Sequence, residues 1–271
     1  MDKNSHGVSS DSRPAPAGWP GSATIDPAAV NELSEISLSV PANSRLVAMF
    51  DERSVGAEKF RLLASRLQYL RKQRPLKKVV VTSTVKGEGK SVISANLAIT
   101  LGRRHKTLLI DGDLRQSGLT DQFGSNGLPG LADWWRESKE FTSFLRHIEN
   151  LKLWYFPAGR AASQPLESLQ SQRTSEMLNQ TAELFDWVII DAPPLILTDP
   201  NLWATLSDGT LLVVKQGKTP KRLLRKSLES IENLKLIGIV MNGSQDAANQ
   251  YYGQYYKGLV RNVAKTAEPK S

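Results

Sequence analysis

The 271-residue sequence predicts an α/β protein with a doubly wound, mostly parallel sheet and helices on both faces. Two observations predict it. Short runs of continuous apolar, often β-branched residues recur along the chain, and stretches of helical character separate them. A run that is apolar at every position, rather than at alternate ones, suits a strand buried on both faces, and the intervening lengths suit crossover helices. Composition agrees: 40% of residues are hydrophobic and 23% charged, enough of each for a sizeable core and a soluble surface.

The elements follow in order. Residues 1–44 are rich in Ser, Pro, Ala, Gly and Asn without a sustained apolar period, and read as a disordered leader. Over 54–72, Phe60, Leu62, Leu63, Leu67 and Leu70 fall near helical spacing and predict one amphipathic helix. Lys78–Ser83 is the first buried strand, 91–101 a helix, and Thr107–Asp111 the second strand. A third strand is expected over 151–157 and a fourth at Trp187–Asp191, with 210–214 and 237–241 completing the series. One domain over 45–245 and a tail over 246–271 account for the rest, and no internal repeat is present.

Several function classes are excluded early. Cysteine is absent, which removes disulfides, thiol catalysis and Cys-ligated zinc. Only His6, His105 and His147 are available to a His-based metal site. No apolar run approaches the ~20 residues that cross a bilayer, and the first residues lack a secretory apolar region, so a cytoplasmic location is expected. The net charge of +8 favours anionic partners: a nucleotide, an acidic peptide, a membrane surface or nucleic acid. Charge alone supports the last of these, and no nucleic-acid partner is expected. Of two basic clusters, Arg71, Lys72, Arg74, Lys77 and Lys78 read as a solvated helix end; the other spans 218–226.

Between the first strand and its helix lies Ser83-Thr84-Val85-Lys86-Gly87-Glu88-Gly89-Lys90-Ser91. A strand, a Gly-containing turn and Gly-Lys-Ser opening a helix form a phosphate-binding arrangement. Gly87 and Gly89 let backbone N–H groups turn toward phosphate oxygens, Lys90 reaches the β/γ oxygens, and the Ser91 hydroxyl suits Mg²⁺. Gly87, Glu88, Gly89, Lys90, Ser91 and Val92 are therefore the expected nucleotide contacts. The motif deviates in one place, with Thr84 where the first glycine is usual. Two further strands end in aspartate. Ile110-Asp111-Gly112-Asp113-Leu114-Arg115 supplies two carboxylates and Ile189-Ile190-Asp191-Ala192-Pro193-Pro194 a third. Ligands bind outside the carboxyl ends of parallel strands, so Asp111, Asp113 and Asp191 are expected to converge on Mg·ATP. Strand-end aspartates also serve as caps and turn formers, a reading that weighs most for Asp113. The chain is thus expected to be a P-loop NTPase with deviant Walker motifs.

These residues resemble the bacterial tyrosine kinases of capsule and exopolysaccharide synthesis, in their stand-alone form. Three ordered motifs carry the resemblance: Gly87-Glu88-Gly89-Lys90-Ser91, Ile110-Asp111-Gly112-Asp113-Leu114-Arg115, and the Ile189 to Pro194 stretch. Gly130-Leu131-Ala132-Asp133, Pro157-Ala158-Gly159, Gln164-Pro165-Leu166-Glu167-Ser168-Leu169 and Ser54-Val55-Gly56-Ala57-Glu58-Lys59-Phe60-Arg61 resemble smaller family features, so the likeness spans roughly 45–256. It implies ATP-dependent phosphorylation of tyrosine hydroxyls, largely on neighbouring copies of the chain. Lys90 and Ser91 would bind phosphates and Mg²⁺, Asp111 would be the base, and Ser91, Asp113 and Asp191 would hold the metal. Asn242 matches a position that contacts adenine in related ATPases, and reads equally well as a turn residue. Gln250-Tyr251-Tyr252-Gly253-Gln254-Tyr255-Tyr256 holds four of the six tyrosines, and a polar segment of this kind is a poor core and an accessible acceptor. Tyr251, Tyr252, Tyr255 and Tyr256 are the expected phosphoacceptors, with surface anchoring of the tail as the plainer reading.

The resemblance further implies a membrane-spanning polysaccharide chain-length regulator as partner, whose cytoplasmic tail stimulates the kinase and recruits it to the inner face of the membrane. It also implies self-association in a ring. Three features depart from the family: Ala64 stands where an arginine is usual in the ring-forming helix, Gln116-Ser117 replaces a frequent Arg-Pro, and a basic extension follows the tyrosines. Two rival readings remain: a partitioning-type ATPase, whose extra lysine would fall at Val85 while Lys86 is displaced by one, and a regulatory ATPase without kinase activity.

Overall fold

In the computed structural model, which describes residues 35–36, 41, 44–160, 165–197, 199–231 and 235–244, the apolar runs assemble into one eight-stranded sheet. In chain order the elements are β1 (Glu35–Ile36), α1 (Val47–Phe50), α2 (Val55–Gln73), β2 (Lys78–Ser83), α3 (Lys90–Gly102), β3 (Thr107–Asp111), α4 (Gly118–Phe123) and α5 (Leu131–Trp134). A 3₁₀ turn (Phe141–Phe144), β4 (Arg146–Ile148), β5 (Leu153–Phe156), α6 (Pro165–Gln170) and α7 (Gln172–Leu184) follow. Then come β6 (Trp187–Asp191), α8 (Asp199–Thr205), β7 (Gly209–Lys215), α9 (Lys221–Ile231) and β8 (Leu236–Asn242). The strand order is β1-β4-β5-β3-β6-β2-β7-β8, and every pairing is parallel except β4 with β5.

The strands belong inside because both of their faces are covered. On one face Val79, Val81, Leu109, Ile189, Leu211 and Val213 pack with Leu97 and Ile99 of α3 and Leu67 of α2. On the other, Val80, Leu108, Ile110, Val188 and Ile190 meet Trp203 of α8, Met177 of α7 and Phe185. Alternate residues of one strand feed two cores, which is why these strands carry no polar alternation. Helix α2 starts where Ser54 Oγ accepts the Ala57 N–H at 3.1 Å, and its Ala64 and Leu67 turn inward.

Three expectations change. Glu35–Ile36, inside the stretch assigned to the leader, pairs with β4 through backbone groups, a pairing that needs no apolar period. β4 itself is a three-residue antiparallel strand that hydrophobic patterning does not reveal. The first basic cluster is more than a solvated helix end. Arg71 donates to the Asp186 carbonyl at 2.7 Å and stacks over Trp187, while the Lys77 ammonium donates to the Ala182 carbonyl at 2.6 Å. Among the described residues no helix is long and apolar enough to cross a membrane.

Candidate functional site

At the end of β2 the chain leaves the sheet through the predicted phosphate loop. Gly87 and Gly89 adopt φ of 84° and 95°, left-handed values that side chains resist. Gly89 caps α3, and a Cβ there would lie 2.2 Å from the Asn242 amide nitrogen. That amide donates to the Glu88 carbonyl at 2.8 Å, so β8 braces the loop from behind. The Glu88 carboxylate is buried and turned away from the open side. It accepts the Val85 N–H at 2.9 Å and the hydroxyl of Thr219, just past β7. The loop is therefore stapled to the two last strands by its own glutamate.

In front of the loop lies a 670 Å³ cavity, a size suited to a nucleotide. Gly87, Gly89, Lys90, Ser91 and Val92 line one side; Asp113, Gln116, Ser117, Thr120 and Ser125 line the other. Lys86 also borders it. The N-terminus of α3 opens into this cavity, offering N–H groups and positive potential to an anion.

Parallel pairing of β3 with β6 sets Asp111 directly opposite Asp191. Both are fully buried, whereas Asp113, two residues on, reaches the cavity. Lys90 Nζ lies 2.7 Å from Asp113 Oδ2 and 3.6 Å from Asp191 Oδ2. The second distance allows attraction but no hydrogen bond, and Asp191 Oδ2 has no hydrogen-bond partner. Asp191 Oδ1 accepts from Ser94 at 3.1 Å, and Asp113 Oδ1 accepts the Gln116 N–H at 3.1 Å.

Electrostatics follow from this packing. Burial, then the Asp191 charge, push the Asp111 carboxyl up to about 8. Asp191 is raised as well, because burial outweighs the attraction of Lys90. Burial pulls the Lys90 ammonium down, but Asp191, Asp113 and Asp111 outweigh it and leave it raised. One cation thus stands among three carboxylates, a site that carries negative charge unless a further cation or proton joins it.

The structure accordingly brings together Gly87, Gly89, Lys90, Ser91, Val92 and Asp113 at the cavity, with Asp111 and Asp191 behind them. It does not bring the Glu88 side chain there. Asn242 supports the loop backbone through its side-chain amide. Tyr251, Tyr252, Tyr255 and Tyr256 lie outside the described residues. Sequence reasoning missed Ser94, Ser117, Thr120, Ser125, Tyr155 and Thr219. Only Ser117 left a signal, standing where the resembling family has proline; the others are contacts that tertiary packing creates.

No protein-family model matches the chain. The tyrosine-protein kinase YwqD of Bacillus subtilis is 29% identical over 78% of this chain and 90% of its own length. The tyrosine-protein kinase CpsD of Streptococcus agalactiae is 30% identical over 74% of this chain and 90% of its own. The succinoglycan biosynthesis transport protein ExoP of Rhizobium meliloti is 32% identical over 75% of this chain, but over 28% of its own length. Among solved structures, the chimerical protein CapA2B2 matches with a TM-score of 0.71 and 26% identity, over 77% of this chain and 96% of that one. The septum site-determining protein MinD of Pyrococcus horikoshii, complexed with Mg-ADP, shares the fold with a TM-score of 0.53 and 18% identity over 67% of this chain and 77% of its own. Phosphate loop, converging aspartates and relatives agree, and this chain belongs to the bacterial tyrosine-kinase family of capsule and exopolysaccharide synthesis.

Proposed function

We propose that this chain transfers the γ-phosphoryl group of ATP to tyrosine hydroxyls, those of its own segment 251–256 among them, in the control of polysaccharide synthesis and export. The observation that carries the reading is Lys90 standing between Asp113 and Asp191 at the edge of a nucleotide-sized cavity. The loop N–H groups and the end of α3 receive the phosphates, and Lys90 turns toward their β/γ oxygens. Magnesium fits the residues present. Asp191 Oδ2 is a buried oxygen without a hydrogen-bond partner, Asp113 and Ser91 border the cavity, and Mg²⁺ needs few protein ligands when phosphates and waters complete its shell. Ser91, Asp113 and Asp191 would hold it, and it would offset phosphate charge.

In the transfer itself the tyrosine oxygen bonds to the γ-phosphorus as the bond to the β-bridging oxygen breaks. ADP leaves, and the phenolic proton passes to Asp111. With its carboxyl pushed up to about 8, Asp111 is a stronger base than an ordinary aspartate once ionised, and at neutral pH it must first give up the proton that most of it carries. Asp111 is fully buried at the end of β3, two residues from Asp113 at the cavity.

The proposed partner is a membrane-spanning chain-length regulator whose cytoplasmic tail activates the kinase and holds it at the inner face of the membrane. The match to 28% of the length of a succinoglycan biosynthesis transport protein supports a kinase that works with a polysaccharide transport component. Self-association through α2 is part of the proposal, with one restriction. Glu58 and Arg61 pair within the chain, and Ala64, where the family has arginine, faces the core.

The test is purified protein with Mg·ATP, with and without that tail, mapped for phosphotyrosine by mass spectrometry against a Lys90→Ala control. Phosphate on Tyr251, Tyr252, Tyr255 or Tyr256 in the parent alone is expected. ATP hydrolysis without phosphotyrosine in either tube would replace this reading by the regulatory or partitioning ATPase, which Lys86 at the cavity favours.

A further inference from the structure

Ser117 touches the site without a role in the scheme above. It follows Asp113 by four residues and opens α4, where its oxygen accepts the Thr120 N–H at 3.0 Å. Gln116 closes the intervening turn on Asp113. Ser117 Oγ is within hydrogen-bond reach of both Asp111 Oδ2 and the Thr120 hydroxyl; an ionised Asp111 can only accept, so in that state the single Ser117 proton goes to Oδ2 and the Thr120 hydroxyl turns to donate to Ser117. A second hydroxyl reaches the same carboxylate oxygen from the neighbouring strand. Tyr155 of β5 donates to Asp111 Oδ2 at 3.3 Å and is itself bonded to Ser125 at 3.2 Å. Its ring is fixed against Phe123, 5.0 Å away.

The two carboxylate oxygens are therefore unequal. Oδ2 takes two hydroxyl donors, whereas Oδ1 is buried without any hydrogen-bond partner. The terminal torsion of an aspartate is broad and nearly two-fold, so an unheld carboxylate at a strand end swings between orientations. Two donors on one oxygen, from two different elements, select one orientation. A base oriented by further hydroxyls follows the general logic of nucleophile, base and orienter. Proline at 117, frequent in the resembling family, has no hydroxyl to offer, so the device belongs to this chain.

We infer that Ser117 is a positioning residue for Asp111: together with Tyr155 its hydroxyl holds Oδ2, so that Oδ1 is the oxygen that takes the proton of the attacking tyrosine. The inference rests on the assignment of Asp111 as the base. Ser117 also caps α4, and a cap alone would explain its presence. The two roles separate chemically. Glycine is nearly as good a cap as serine but carries no hydroxyl, alanine lacks both, and threonine keeps both.

The experiment measures autophosphorylation by the full chain with Mg·ATP, for the parent and for Ser117→Ala, Ser117→Gly, Ser117→Thr, Tyr155→Phe and Asp111→Asn. Nucleotide affinity and thermal stability are recorded for each. Ser117→Ala and Ser117→Gly should both lower kcat about 10- to 100-fold, the usual cost of losing an outer-sphere orienting partner, with KM for ATP unchanged. Ser117→Thr should restore most of the rate, and Tyr155→Phe, which keeps the ring, should lower kcat in the same way. Parent-like kcat in Ser117→Gly with loss only in Ser117→Ala would reduce Ser117 to a helix cap and overturn the inference. Loss through KM alone would do the same, by moving Ser117 to nucleotide binding. Parent-like kcat in Asp111→Asn would instead sink the assignment of the base. Should Ser117→Ala fold poorly, Ser117→Gly and Tyr155→Phe carry the test.

Discussion

Asp111 and Lys90 show how much one side chain's behaviour depends on its neighbours. An aspartate carboxyl ordinarily titrates near 3.8; here burial and Asp191 push it to about 8. A raised carboxyl favours the folded state below its ordinary value, and that contribution is lost as pH rises through about 8. Carboxyl-carbon NMR should therefore find a group titrating near 8, and Asp191→Asn should bring it down by removing the facing charge. An unchanged midpoint in Asp191→Asn would leave burial and the Asp113 charge as the causes. Lys90 has the complementary dependence. Lys90→Ala should abolish phosphoryl transfer, and it strips Asp113 and Asp191 of their cation. Because buried carboxylates can take up protons at low pH, its melting temperature should fall further below the parent's at pH 9 than at pH 6. Equal losses at both would show that the lysine contributes packing rather than charge.

At the scale of elements, buried carboxylates hold loops in place. Glu88 satisfies the Val85 N–H and Thr219 hydroxyl from a buried position, so Glu88→Ala leaves a buried N–H unpaired inside the phosphate loop. The expected result is a destabilisation of about 1–3 kcal/mol by urea unfolding, with weaker nucleotide binding by calorimetry. Full affinity would mean that the loop holds its shape through Gly89 and Asn242 alone. Asp133 does similar work where α5 meets β5. Its Oδ2 accepts the Gly130 and Arg160 N–H groups at 3.0 Å each, and Oδ1 accepts from Arg136 at 2.8 Å. Burial would raise this carboxyl, but the hydrogen bonds from Arg160, Gly130 and Arg136 outweigh it and hold it below the ordinary range. A lowered carboxyl contributes stability above its ordinary value and loses it as pH falls through the lowered one. The parent should thus lose stability on acidification below about pH 4, and Asp133→Ala should lose less.

Across the whole molecule, two cores share one sheet, and the site sits where their strands end. Trp203 of α8 belongs to the second core, is fully buried, and donates its ring N–H to the Gly112 carbonyl at 3.3 Å. Gly112 lies between Asp111 and Asp113, so the packing of a distant helix reaches the carboxylates directly. Trp203→Ala should cost about 3–5 kcal/mol of stability by chemical denaturation, and the surviving folded fraction should phosphorylate more slowly. A variant destabilised to that extent with the parent's kcat would show that Trp203 supports the core without holding the turn.

Strand runs, the phosphate loop and the aspartate-ended motifs were legible in the sequence because each is local. Apolar runs on β2, β3, β6 and β7 are continuous since both faces are covered, and Gly87 and Gly89 announce left-handed backbone wherever they stand. Lys90, Asp111, Asp113 and Asp191 could be named as partners because parallel strands release their loops on one edge. The sequence by itself also determined the family, through three ordered motifs. Tertiary structure alone decided the rest. β1 and β4 are too short to carry a hydrophobic period, and backbone pairing places them. Glu88 turns away from the cavity because Thr219, 131 positions later, completes its hydrogen bonds. The unequal oxygens of Asp111 depend on Ser117 and Tyr155, brought from two elements to one carboxylate by sheet order. A motif names which groups are present; only the packing of distant segments sets which oxygen is bound and which is left to react.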